Sequence, residues 1–117
     1  MAAPTRKGVR FLGRALDDLR LFPPTARQEA GHQIDLVQQG LDPDDWKPMT
    51  SIGAGVREIR LSDDSGAFRV VYLTKVEDSI VILHCFQKKT AKTDQRDIKL
   101  ARARYKSLFP PHQGLQA

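Results

Sequence analysis

The sequence contains few of the residues from which covalent or metal-based sites are built. It has 117 residues and one cysteine, Cys85, which lies inside an apolar run. A single cysteine cannot form an internal disulfide framework, so we expect a reducing, cytoplasmic environment. The sequence also lacks CxxC, HExxH and paired-histidine patterns, and its three histidines lie far apart. These absences argue against a metal site and predict a protein without a cofactor.

Long apolar runs are missing as well. No stretch approaches the ~18 apolar residues of a membrane-spanning helix, and the N-terminal apolar run is too short for a signal peptide. A hydrophobic fraction of 40% and a charged fraction of 28% are ordinary for a globular protein. At this length we expect one domain over residues 1–117, with disordered tails at 1–5 and 112–117 and no membrane partner.

Positive charge is concentrated in one segment. The net charge is +5, and residues 88–106 contain eight Lys or Arg and two Asp, whereas the rest of the chain has a net charge of −1. Localised charge of this kind indicates a polyanionic or acidic partner. From charge alone, a solvated basic helix is an equally good interpretation.

The hydrophobic pattern predicts an α+β fold with a short N-terminal strand, two helices, a curled antiparallel sheet and a closing C-terminal helix. Val9 and Phe11 indicate the first strand. Pro23-Pro24 ends the first helix, and Thr25 with Gln28 resembles a capping box for the second. Gly40 should end the second helix, whose apolar face consists of Ala26, Ala30, Ile34, Val37 and Leu41.

Three later segments, VREIRL, FRVVYLT and IVILHCF, predict strands joined by short turns as two hairpins. We interpret IVILHCF as the central strand. Its neighbours His84 and Cys85 should point to opposite faces, which excludes a thiolate–imidazole pair. Thr93 is a potential cap of the last helix. Pro110-Pro111 should end that helix, and its buried stripe consists of Ile98, Ala101, Tyr105 and Leu108.

The basic residues of the sheet form the candidate site. Arg60 and Arg69 flank the first hairpin turn, and the third strand ends at Lys88 and Lys89. Cations that converge in this way would bind a phosphodiester backbone and oppose charge that develops at a scissile phosphate. Alternatively the side chains point outward and only aid solubility. Alternation along the strand places Arg57 and Arg60 on opposite faces.

Three motifs resemble the RelE/ParE toxin superfamily, and most closely its HigB-like, phage-related branch. They are Glu58-Ile59-Arg60, Phe68-Arg69-Val70-Val71-Tyr72 and, most specifically, LHCFQKKTAKT over residues 83–93, followed by a helix. The opening RKGVRFLGRALDDLRLFPPTARQEAG also resembles that branch, so the similarity extends over nearly the whole chain.

This resemblance implies the toxin of a type II toxin–antitoxin pair, which enters the ribosomal A site and cleaves messenger RNA without a metal. The RNA 2′-hydroxyl attacks the adjacent phosphate. Arg69 and Arg60 would clamp that phosphate, and Lys88 or Lys89 would neutralise the transition state or protonate the leaving oxygen. The further residues assigned to RNA or phosphate binding are Arg57, Lys92, Arg96 and His84.

The sequence does not identify the residue that would act as general base. Members of the superfamily often carry a tyrosine or histidine near the chain end, but here Tyr105 lies inside the last helix, His112 in the tail and His84 in an apolar strand. Two alternatives therefore remain, a ParE-like inhibitor of DNA gyrase and a non-catalytic module that binds an antitoxin. In each case we expect a helix-turn-helix antitoxin, encoded by the adjacent gene, through which the pair contacts operator DNA.

Overall fold

A computed structural model describes residues 6–76 and 78–109. These residues form five strands and three helices, and the predicted α+β fold class is confirmed. No helix in these ranges is long and apolar enough to cross a membrane. The predicted tails, Pro110-Pro111 and His112 lie outside the described residues. In chain order the elements are β1 (Gly8–Phe11), α1 (Ala15–Arg20), α2 (Pro24–Gln38), β2 (Trp46–Pro48), β3 (Val56–Asp63), β4 (Gly66–Val76), β5 (Ser79–Lys88) and α3 (Gln95–Leu108).

The five strands form one mixed sheet in the order β1-β5-β4-β3-β2. The two hairpins that the turn segments predict join β3 to β4 and β4 to β5, and both pairs are antiparallel. The sheet extends beyond this predicted centre at both edges. Strand β1 pairs with β5 in parallel, and the three-residue strand β2 pairs antiparallel with β3.

Helices cover both faces of the sheet. Helices α1 and α2 pack on one face, which we call the closed face, through a continuous apolar cluster that includes Leu19, Phe22, Ile34, Phe68 and Tyr72. Helix α3 packs on the opposite face, which we call the α3 face. There a second cluster contains Ala101 and several residues of β3 to β5, with Ile98, Tyr105 and Leu108 partly buried against it. The predicted stripe of α3 is therefore the side that packs on the sheet.

Strand β5 is the most apolar strand, but it is not the central one. Strand β1 pairs only with Ser79–Ile82, and the sheet then continues on the other side through β4, β3 and β2. Residues 80–86 are nevertheless all buried, because helices cover both faces of the strand. The apolar run was evidence of burial on both faces, and our interpretation of it as a central position was wrong.

A β-bulge interrupts the pairing of β4 with β5. Val71 lies opposite His84, whereas Tyr72 lies opposite Ile82, so Leu83 is an extra residue in β5. Ile82 and Cys85 belong to the cluster on the closed face, and Leu83 and Phe86 belong to the cluster on the α3 face.

The helix ends differ from two predictions. Helix α2 begins at Pro24 without any side-chain cap, so the capping box of Thr25 and Gln28 does not form. Proline needs no hydrogen-bond acceptor at the first turn, where it is well tolerated. Helix α3 is capped by Asp94 rather than Thr93, and the Asp94 carboxylate accepts a hydrogen bond from the Arg96 amide at 2.8 Å. Leu41 follows Gly40, where φ is 87°, and is 54% exposed rather than part of the core.

Candidate nucleic-acid interface

A pocket of about 270 Å³ lies where β5 ends and α3 begins. It is lined by residues 86–90 and by Asp94, Arg96 and Asp97. Three of the predicted basic residues, Lys88, Lys89 and Arg96, therefore meet in one pocket. The first turn of α3 adds the partial positive charge of its backbone amides, which makes a helix N-terminus suited to anions. Two carboxylates in the lining, on Asp94 and Asp97, limit the net positive charge.

Lys88 lies on the α3 face near other cations. It alternates with Phe86 along β5 and therefore lies on the α3 face. Partial burial, and then the positive charges of Arg69 and Lys47, lower the pKa of Lys88 below its ordinary value. A lysine with a lowered pKa transfers its proton more readily to a developing oxyanion.

Arg60 and Arg69 occupy the same face as Lys88, but only Arg60 reaches the surface. Arg69 lies opposite Arg60 on β3 and opposite Phe86 on β5. It is 6% exposed, and its Nη1 donates a hydrogen bond to the carbonyl of Phe68 at 2.9 Å. The Arg69 guanidinium is therefore part of the sheet surface beneath the site, and neither arginine lines the pocket itself.

Glu58 explains why Arg69 is buried. Its carboxylate is fully inaccessible, and Oε1 lies 3.4 Å from Arg69 Nε and 4.0 Å from Lys47 Nζ. Neither carboxylate oxygen has a hydrogen-bond partner among the described residues. Burial raises the pKa of Glu58, while the charges of Lys47 and Arg69 act in the opposite direction. Sequence reasoning missed this residue, although strand alternation places Glu58 on the same face as Val56 and Arg60.

His84 connects the sheet to α3. It is 5% exposed, and its Nε2 lies 2.7 Å from Asp97 Oδ1. Its ring stacks on Phe86 with centroids 5.0 Å apart. The imidazole is thus held between β5 and the first turn of α3, next to the pocket but not on its surface. Nothing in the sequence identified Asp97 as its partner, since the two residues lie on different elements.

Two predicted RNA-contacting residues lie elsewhere. Arg57 is on the closed-face side of β3, where it donates a hydrogen bond to Asp42 at 2.9 Å and stacks over Trp46 at 3.9 Å. Lys92 is exposed in the loop before α3 but does not line the pocket. Cys85, as predicted, points away from His84 into the core, and burial raises the pKa of its thiol to about 12.

Polar contacts supplement the apolar stripe that packs α3 on the sheet. Besides the pair of His84 and Asp97, Arg104 donates to the carbonyl of Leu83 at 2.8 Å and Arg102 to that of Ser51 at 2.7 Å. The Tyr105 hydroxyl donates to the carbonyl of Ala54 at 3.2 Å. Tyr105 is therefore an anchor of the helix, remote from the pocket.

The chain is similar to a known protein family and to solved structures. Residues 17–106 match the family described as phage-derived protein Gp49-like (DUF891). No curated protein sequence matches the chain. Among solved structures, the chain is similar to a mutant of the Escherichia coli toxin RelE in the free state, with a TM-score of 0.59 and 18% identity over 80% of this chain and 96% of the RelE chain. At this identity the structural likeness shows a common fold.

Proposed function

The chain belongs to the phage-derived Gp49-like family, a RelE-like toxin family, and from that premise we propose that it is the toxin of a type II toxin–antitoxin pair that cleaves messenger RNA on the ribosome. A toxin of this kind implies an antitoxin partner and acts in the cytoplasm, where translation takes place. The observation that supports cleavage most directly is the pocket in which Lys88, Lys89 and Arg96 meet the N-terminus of α3.

In the proposed reaction, the 2′-hydroxyl of the message loses its proton to water and its oxygen bonds to the adjacent phosphorus, while the bond from phosphorus to the 5′-oxygen breaks and a 2′,3′-cyclic phosphate forms. Lys89 and Arg96 oppose the negative charge on the phosphate in the transition state. Lys88, with its lowered pKa, protonates the leaving 5′-oxygen. Arg60 is exposed on the same face and holds a neighbouring phosphate. Arg69 contributes through its charge from beneath the surface, since its guanidinium is turned towards Glu58 and the Phe68 carbonyl.

Primer extension on a reporter message in a translating extract tests this proposal. We expect cuts within codons that appear only when ribosomes are present. Lys88→Ala and Lys89→Ala should each slow cleavage about 10²–10³-fold, the usual loss for one well-placed electrostatic group. Lys99→Ala is the matched control, because Lys99 is exposed on α3 but lies outside the pocket. An intact message with normal protein synthesis would contradict the proposal.

One observation favours a second candidate, a non-catalytic module that binds the antitoxin. Arg69 and His84, both assigned to RNA chemistry, are buried and paired with Glu58 and Asp97. A module of this kind would leave the message intact and still bind the antitoxin. Growth arrest with DNA damage and filamentation would instead indicate a gyrase inhibitor.

A further inference from the structure

Lys88 has the properties of a nucleophilic amine. It is half-buried at the end of β5 and lines the pocket between β5 and α3. Partial burial, and then the charges of Arg69 and Lys47, lower its pKa, while Glu58 acts in the opposite direction. Only an unprotonated amine attacks a carbonyl carbon, and a lysine beside other cations has more of that form at neutral pH. Lys88 should therefore react with acyl donors faster than an ordinary surface lysine.

The sheet fixes the position of one of these cations. Arg69 lies opposite Phe86, which is two residues before Lys88 and on the same face of β5. The Nε atom of Arg69 lies 3.4 Å from Glu58 Oε1, and its Nη1 donates a hydrogen bond to the Phe68 carbonyl at 2.9 Å. A side chain held in this way cannot turn away from Lys88, so its effect on the amine is built into the fold.

Two exposed cations, Lys89 and Arg96, line the same pocket. The two carboxylates of the lining are engaged with other groups of the protein. Asp94 Oδ1 accepts a hydrogen bond from the Arg96 amide at 2.8 Å, and Asp97 Oδ1 lies 2.7 Å from His84 Nε2. A phosphate group that enters the pocket is therefore drawn to Lys89 and Arg96, beside the nucleophilic amine.

The pocket also has an apolar part. Phe86 contributes to its lining, and the volume of about 270 Å³ is sufficient for a small molecule. A ligand suited to this lining carries a phosphate at one end and a short apolar group at the other. Acyl phosphates have this structure, and the carbonyl carbon that joins their two ends is the atom that an amine attacks.

We propose that Lys88 is an acylation site and that its acyl donor is a small acyl phosphate, whose phosphate is bound by Lys89 and Arg96. In this reaction the unprotonated Nζ of Lys88 forms a bond to the carbonyl carbon, the bond from that carbon to the phosphate oxygen breaks, and inorganic phosphate leaves. The amine proton passes to water, and the product is an N-acyl lysine without a positive charge. Because the donor is bound beside the amine, the reaction no longer depends on a collision in solution, and selectivity for Lys88 follows from this proximity.

Mass spectrometry of the full chain tests the site. The probe is acetyl phosphate, and peptide mapping after limited incubation at neutral pH gives the rate of acetylation at each lysine. We expect Lys88 to be acetylated at least about tenfold faster than Lys99, because Lys99 is exposed on α3 but lies outside the pocket. Lys88→Arg keeps the positive charge and should remove the fast reaction. Equal rates at the two lysines, or a faster reaction at Lys89, would overturn the proposal.

A second acyl donor separates binding from reactivity. N-Acetylimidazole transfers the same acetyl group but has no phosphate. Arg96→Gln should slow acetylation of Lys88 by acetyl phosphate at least about tenfold and leave the reaction with N-acetylimidazole within about twofold. Arg20→Gln makes the same change at an exposed arginine of α1 outside the pocket, and should leave both reactions unchanged. If Arg96→Gln slowed neither reaction, or slowed both equally, a bound acyl phosphate would be ruled out.

The effect of acylation on cleavage rests on the proposed function, whereas the acylation site itself does not. An acylated Lys88 cannot protonate the leaving 5′-oxygen, so the acetylated chain should cleave message about 10²–10³-fold more slowly, as Lys88→Ala does. Full activity of a chain acetylated at Lys88 would overturn this effect. If the unmodified chain cleaves no message but Lys88 is acetylated selectively, the nuclease proposal fails and the acylation site stands. Unselective acetylation of a chain that does cleave message would overturn the acylation site alone.

Discussion

The two faces of the sheet differ in how many apolar and how many charged side chains they bury. On the closed face, α1 and α2 cover a continuous apolar cluster, and α2 alone buries Ala26, Ala30, Ile34 and Val37. On the α3 face, Ala101 is the only fully buried residue of α3, and a second apolar cluster lies beside the buried pair of Glu58 and Arg69 and the basic pocket. Both faces therefore have an apolar cluster, but the buried pair of Glu58 and Arg69 lies on the α3 face.

The difference also concerns how each layer is attached. Apolar burial holds α1 and α2 over the length of the contact, and this kind of attachment is non-directional. Helix α3 has one fully buried apolar residue and a partly buried stripe, and directional contacts such as His84 with Asp97 and Arg102 with the Ser51 carbonyl supplement this packing. Each contact of this type is worth about 0.5–1.5 kcal/mol. We therefore expect α3 to be the first helix to detach when the protein is destabilised.

The largest effect should come from the closed face. Phe68 is 1% exposed and lies 4.8 Å from Phe22 between ring centroids. Phe68→Ala should lower the free energy of unfolding by about 3–5 kcal/mol, through lost burial and the resulting cavity. Phe109 follows the last residue of α3 and is 52% exposed. Phe109→Ala should therefore lower the free energy of unfolding by less than about 1 kcal/mol. Urea denaturation measures both, and similar losses would contradict the contrast between the faces.

The second effect concerns the buried ion pair. Arg69→Met should lower the free energy of unfolding by about 3 kcal/mol at neutral pH, because it leaves the buried Glu58 carboxylate with only the more distant Lys47, 4.0 Å away. Burial already raises the pKa of Glu58 above its unfolded value, and loss of Arg69 removes a charge that lowers it. Stability from such a group is present below the unfolded pKa and is lost as pH rises through the folded pKa. The loss should therefore be small in acid and grow towards neutral pH.

A double variant serves as the control for this pair. With Glu58→Gln added to Arg69→Met, the unpaired charge is gone, and most of the pH dependence should disappear. A loss in Arg69→Met that is the same from pH ~4 to pH ~7.5 would show that packing, and not charge, determines the effect. The burial of Arg69 also means that Arg69→Ala alone is a poor test of catalysis, since it perturbs the fold as well.

The smallest effect concerns the contact between α3 and the turn before β3. A Cβ atom at Gly53 would lie 2.5 Å from the ring of Tyr105, so Gly53→Ala must displace that ring. We expect a loss of about 1–2 kcal/mol in the free energy of unfolding, with faster amide exchange in α3. Gly31→Ala is the control within α2, where nothing lies within 4 Å, and should stabilise by up to about 1 kcal/mol. Unchanged exchange in α3 would show that Tyr105 does not anchor the helix.

Much of the fold could be predicted from local pattern. The hairpin turns, the stripes of α2 and α3, and the opposite faces of His84 and Cys85 depend on residues close together in the chain, where periodicity is informative. The parallel pairing of β1 with β5 and the strand Trp46–Pro48 depend on contacts between distant segments. A three-residue strand that ends in proline has no strand signal of its own, so it could not have been predicted.

The candidate site shows the same limit. Lys88, Lys89 and Arg96 could be brought together from the sequence, because they lie within one strand, loop and helix start. The burial of Arg69 could not be predicted from the sequence, since it depends on Glu58 in a different strand. Likewise the contact of His84 with α3 could not be predicted, because it is made through Asp97 on a different element. Charge in a sequence shows which residues are available to a site, but the pairing between elements determines which of them are free to act.

The β-bulge at Leu83 determines which chemistry β5 presents on each side. Before the bulge, the even-numbered residues Ile80 and Ile82 face α1 and α2. After the bulge, the odd-numbered residue Cys85 faces these helices. Side chains alternate along a strand, so one inserted residue reverses the phase of everything that follows. If the same residues formed a regular strand without the bulge, alternation from Ile82 onward would turn the Lys88 side chain to the closed side and would place Gln87 on the α3 face. The face on which Lys88 lies therefore depends on the bulge as well as on the position of Lys88 in the strand.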